Sequence, residues 1–133
     1  RRRIAPEALA RLRQRVRAIT RRTRGVSLDA MAAELARYLS GWRGYFGFSQ
    51  TPSVLHALDH WIRRRLRCVA WKQWKRGRTR FAELRKRGVS RDLAAQTAGS
   101  AHGPWRLSAS PALHLALPHA YFDTLHFTSW AVP

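Results

Sequence analysis

The residues with most chemistry to offer are cations interleaved with tryptophans. Residues 61–80, WIRRRLRCVAWKQWKRGRTR, set Arg63, Arg64, Arg65, Arg67, Lys72, Lys75, Arg76, Arg78 and Arg80 among Trp61, Trp71 and Trp74. A guanidinium forks onto a phosphate or lies flat on an aromatic ring, and an indole face stacks on a base, so such a helix could grip a nucleic acid. The other reading puts the tryptophans in the core and the cations on a solvated face. The pattern by itself does not separate RNA from DNA. Residues 1–24 supply a second basic block of ten arginines, among them Arg15, Arg17, Arg21, Arg22 and Arg24.

Signs of catalysis are nearly absent. The seven acids stand singly, with no carboxylate pair to hold two metal ions. His56 and His60 have helical i,i+4 spacing but no accompanying Glu or third ligand in HExxH fashion. No glycine-rich phosphate loop occurs, and the few Ser, His and Asp residues lack a nucleophile-elbow motif. Cys68, the one cysteine, reads as a small helical residue. We therefore expect no reaction from this chain alone, no cofactor and no metal.

The charge is one-sided and unevenly placed. Twenty-six Lys and Arg face seven Asp and Glu over 133 residues, a net charge of +19, and Arg106 is the only cation after position 91. Such an excess implies a polyanionic partner. Arginine outnumbers lysine by 23 to 3, which fits forked phosphate contacts but also a GC-rich genome. An apolar fraction of 45% with six Trp supports a packed core rather than a disordered basic tail. No apolar run reaches membrane-spanning length, no signal peptide is visible, and a single Cys suits a reducing cytosol, so a cytoplasmic location near the nucleoid and no membrane partner are expected. Opening on Arg1-Arg2-Arg3 without Met, the chain looks like a piece of something longer.

The elements that would position these residues are helices. Pro6 suits a first helical turn, and Leu9, Leu12, Val16 and Ile19 carry a stripe to about Arg22. Ser27 is a good N-cap for a second helix with Leu28, Met31, Leu35, Tyr38, Leu39, Trp42, Tyr45 and Phe46 as its wide apolar face; Gly41, Gly44 and Gly47 suit close packing or a close-lying ribose. A third helix should run from Pro52 to about Lys75 with Leu55, Leu58, Ile62, Leu66 and Val69 inward, while Asp59, Arg63 and Arg67 step along another face where the acid can pair. Short helices follow over residues 80–87 and 91–98, with Trp105 in an extended or turn setting. Ser110-Pro111 then opens a last helix, interrupted at Pro118. The fold class expected is mainly α: a three-helix, thumb-like bundle over residues 1–76, then short helices and an irregular tail over 77–133.

Taken in order, these motifs resemble a known family. Gly41-Trp42 with Tyr45-Phe46, then Leu58-Asp59-His60-Trp61-Ile62-Arg63-Arg64-Arg65-Leu66-Arg67, then Trp71-Lys72-Gln73-Trp74-Lys75, with Gly88-Val89-Ser90 and Trp105-Arg106-Leu107-Ser108 downstream, are similar to the maturase-specific C-terminal region of group II intron-encoded reverse transcriptases. The likeness spans roughly residues 4–125. It implies a helical thumb followed by domain X, which grips structured intron RNA and helps it reach its splicing-active fold. On that likeness the partner is group II intron RNA, with a DNA target or primer-template possible in a full-length protein. The leading contacts expected are Arg63, Arg64, Arg67, Lys72, Trp74, Lys75, Arg76, Arg78 and Arg80, then Arg15, Arg17, Arg21, Arg22 and Arg24. Gly41, Trp42, Tyr45, Phe46, Leu58, Asp59, Trp61, Trp71 and Trp105 are the family-motif positions. The polymerase motif Tyr-x-Asp-Asp and the paired cysteines of the family's endonuclease extension do not occur in this sequence. A fragment of the polymerase clamping primer-template, or a standalone basic DNA-binding domain, are the alternatives; oligomeric state is not legible.

Overall fold

The computed structural model describes residues 5–21, 25–42 and 52–124, and among them the fold is helical with no strand. The elements are α1 (Pro6–Ile19), α2 (Leu28–Ser40), α3 (Pro52–Gln73), α4 (Gly77–Lys86), α5 (Arg91–Ala98), α6 (Pro104–Leu107), α7 (Pro111–Ala116) and α8 (His119–Thr124). The mainly α class holds. Arg22, Arg24, Tyr45, Phe46, Gly44 and Gly47 lie outside the described residues.

Caps decide the boundaries. Ser27, Ser90 and Ser110 each accept a hydrogen bond from the backbone N–H three residues on, starting α2, α5 and α7 where their sequences indicate. α1 stops at Ile19 rather than near Arg22, because the Thr20 hydroxyl bonds back to the Val16 carbonyl at 2.7 Å and its backbone leaves the helical region. α4 begins at Gly77, earlier than expected, and ends on a Schellman turn. There Gly88 N–H donates to Arg85 O, Val89 N–H donates to Leu84 O, and Gly88 takes φ +91° while Leu84 and Val89 are both buried. α3 ends two residues before Lys75 on a left-handed residue that is not a glycine: Lys75 adopts φ +61° and its N–H donates to Lys72 O, while Arg76 N–H donates to Trp74 O and no Schellman pair forms. A left-handed lysine costs roughly 1–2 kcal/mol through its Cβ.

α3 is the axis of the core. Its Leu55, Leu58, Ile62, Leu66 and Val69 are buried, as expected, against Leu12, Val16 and Ile19 of α1 and Met31, Leu35 and Leu39 of α2. The same core continues through Trp71, Leu84, Val89, Leu107, Leu113, Leu117 and Phe122, so the nearly uncharged C-terminal helices pack on the basic ones. Trp105, expected in an extended or turn setting, instead sits in the short helix α6, where Pro104 occupies the first helical turn.

Candidate nucleic-acid interface

The arginine run of α3 divides by direction, because successive helical residues point about 100° apart. Arg63 and Arg67, expected among the leading contacts, are corrected to the interior at 2% and 4% exposure. Arg63 Nε donates to Asp59 Oδ2 at 3.1 Å and its Nη1 to His119 O at 3.3 Å, while Arg67 Nε donates to Leu117 O at 2.8 Å. Both guanidinium groups lie over the buried Phe122 ring, at 5.7 and 5.2 Å. The physical reason is local: one acid and two carbonyls at the junction of α7 and α8, Leu117 O and His119 O, give this face acceptors that offset the cost of burying the cations. Burial, with Arg63 beside it, pushes Arg67 down to about 10, and at neutral pH it remains a cation.

The opposite side of α3 carries a different set. Trp61, Arg65, Cys68 and Lys72 follow one another at helical spacing. Arg17 from α1 and Arg65 both lie over the half-buried Trp61 ring, at 5.3 and 5.5 Å. Arg65 Nε donates to Thr20 Oγ1 at 2.7 Å, which ties α3 to the end of α1. Burial first, and then Arg17, lower the Arg65 pKa. Burial also pushes the Cys68 thiol up, against the pull of Lys72, Arg65 and Arg64, so it stays protonated and unreactive at neutral pH.

This track opens onto a cleft of about 720 Å³ lined by Gly25, Val26, Ser27, Val69, Lys72, Gln73, Lys75, Arg80 and Pro104. A smaller concavity, bordered by Thr20, Arg65, Cys68, Lys72 and Trp105, shares Lys72 with it. No acid lines either one among the described residues. Gln73 Nε2 donates to Val26 O at 2.9 Å, closing one wall. Arg80 is partly committed: its Nε donates to Trp71 O at 3.0 Å, its guanidinium lies 4.6 Å from the Trp71 ring centre, and burial lowers its pKa. Arg76 and Arg78 are exposed where α4 begins. This surface, cationic, open and without acids, matches what a phosphate backbone asks of a protein. Among the described residues no cluster of His, Cys, Asp or Glu could hold a metal, and no helix is long and apolar enough to cross a membrane.

The chain's residues 9–88 match the model of the group II intron, maturase-specific domain. The chain belongs to that family. No curated protein matches it. The matched stretch of this maturase-specific domain runs from α1 into the Schellman turn after α4 and so contains the whole basic track.

The remaining expected positions fall in several places. Leu58, Asp59 and Trp71 are buried, and Trp42 and Trp74 are half-buried against the core. Trp74 meets Trp71 edge-on at 6.0 Å and carries Arg87 over its ring at 5.0 Å; Arg87 in turn pairs with Glu83. Gly41 caps α2 in a right-handed conformation, 3.4 Å from Tyr38 O at the point where a Cβ would stand. Arg15 is on another side of α1, 5.9 Å over Tyr38, and Arg21 is exposed. Two residues that line the smaller concavity were not expected among the contacts: Arg65, whose signal is its 200° separation from Arg63 on the helical wheel, and Trp105, named as a family-motif position.

Proposed function

We propose that this maturase-specific domain binds folded group II intron RNA along the track formed by Arg17, Arg65, Lys72, Lys75 and Arg80, flanked by Arg21, Arg76 and Arg78. The observation that carries the reading is the run of cations, with no acid among the described lining residues, along a cleft built by helices of the matched family region. Folded RNA presents phosphates, 2′-hydroxyls and unpaired bases on an irregular surface, and recognition of that kind asks for charge at fixed spacing more than for base-edge readout. The domain acts by holding RNA tertiary structure, and the RNA supplies the splicing chemistry. Residues 1–76 would form the thumb-like part and 77–133 the rest of domain X, with the second packed behind the first as a buttress.

The test is a splicing assay on a group II intron RNA together with binding measured against salt. Lys72→Ala/Lys75→Ala/Arg78→Ala removes three cations, of which Lys72 also bonds the Cys68 thiol and Lys75 and Arg78 are exposed. We expect lost splicing stimulation and a log affinity against log salt slope shallower by roughly 0.7–0.9 for each phosphate contact removed. Unchanged affinity and slope would eliminate the track as the RNA surface.

A further inference from the structure

Trp105 is a large aromatic left 41% exposed, in a fold that buries or half-buries its other described tryptophans. It is also held with unusual firmness for a surface residue. Arg64 reaches across 41 residues of sequence to place its guanidinium 3.9 Å from the Trp105 ring centre, at stacking distance. That guanidinium is fixed by its own bonds: Nη2 donates to Trp105 O at 2.7 Å, and Nε donates to Ser108 Oγ at 3.1 Å. The buried Ser108 hydroxyl donates to the same carbonyl at 2.5 Å. Backbone, ring and cation are thus locked as one unit.

This unit stands beside the phosphate track. Trp105 borders the concavity that contains Arg65 and Lys72, and Pro104 borders the larger cleft. An indole with a cation fixed on one face is a preformed half of a stack, since the ring needs no ordering when a second planar group arrives. Cations one side chain away would hold the sugar–phosphate of whatever stacks there.

We infer that Trp105 is a stacking platform for an unpaired RNA base, backed by Arg64, with Arg65 and Lys72 holding the adjoining phosphate. The inference rests on the RNA-binding reading above and adds to it a preference for single-stranded over fully paired RNA. Arg64 is a positioning residue here, because its Nε and Nη2 hold Trp105 O and Ser108 Oγ and its plane lies on the indole.

The experiment uses the full chain and two RNAs of equal length: a hairpin with a purine loop carrying 2-aminopurine, and a fully paired duplex. Trp105→Leu keeps an apolar side chain but no ring face, and Trp105→Phe restores a ring. We expect Trp105→Leu to weaken hairpin binding about tenfold, within the range of one lost base–aromatic stack. Duplex binding should change less than about twofold, at an unchanged salt slope, and Trp105→Phe should recover most of the loss. The 2-aminopurine signal should be quenched by the wild-type chain and by Trp105→Phe, and not by Trp105→Leu. Equal losses for hairpin and duplex, or unchanged quenching in Trp105→Leu, would overturn the platform while leaving the track intact. Failure of the wild-type chain to bind either RNA would instead remove the RNA reading, and the platform with it.

Discussion

Two pairs of cations on one helix, Arg63 with Arg67 and Arg65 with Lys72, stand on opposite sides of it and meet different surroundings. The inward pair is buried and holds the carbonyls of Leu117 and His119, so it fastens the C-terminal helices to α3. The outward pair shares a concavity that no acid lines among the described residues. A run of like charges on a helix is therefore not one surface. Direction decides whether a guanidinium meets a protein carbonyl or remains available to a phosphate, and counting cations overstates the number available.

The sharpest way to break this contrast is Arg63→Ala, which leaves Asp59 buried without its charge partner. Denaturant unfolding should show a loss of about 3–5 kcal/mol, the size seen when one member of a buried ion pair is removed. A cycle with Asp59→Leu and Arg63→Met should recover much of it, since an apolar pair can replace a buried ionic one. Arg67→Ala should come next, costing about 2–3 kcal/mol by leaving Leu117 O without its charged donor, with the change reported first by α7 and α8 in amide exchange. On the outward side, Lys72→Ala should move stability by no more than about 0.5 kcal/mol and yet make the RNA salt dependence shallower by nearly one phosphate. If Lys72→Ala and Arg63→Ala destabilised equally, the division into fastening and gripping cations would collapse. The smallest effect sharpens it: Lys75→Gly should raise stability by about 0.5–1 kcal/mol, by relieving the left-handed strain, while lowering RNA affinity. A drop in melting temperature for that variant would show that the lysine is needed to end α3.

Much of the fold was legible because its signals are local. Ser27, Ser90 and Ser110 announce helix starts within four residues, Gly88 announces a stop, and the stripe from Leu55 to Val69 needs only helical periodicity. The pairing of Asp59 with Arg63 was legible for the same reason. What the sequence hid is non-local. Burial of Arg67 depends on a carbonyl fifty residues away, and the firm seat of Trp105 depends on an arginine forty-one residues away. The early end of α1 turned on a single hydroxyl choosing its own helix as partner. The candidate site was half visible: Lys72, Lys75 and Arg80 could be named from charge alone, whereas Arg65 needed the helical wheel and Trp105 needed the fold.

Among the described residues, guanidinium groups bond carbonyls at or near helix ends, as in Arg80 on Trp71 O near the end of α3, Arg64 on Trp105 O in α6, and Arg67 on Leu117 O after α7. Arg80 and Arg67 donate through Nε and Arg64 through Nε and Nη2, and each plane lies over an aromatic ring, of Trp71, Phe122 and Trp105 respectively. An ammonium offers neither the fork nor the plane. Arginine and lysine are accordingly not interchangeable currency here: drift between the two should be tolerated at Lys72 or Arg78, and at 64, 67 and 80 it should unfasten a helix. The 23-to-3 ratio thus carries, beneath any bias in the codons, a structural floor below which this fold loses its joints.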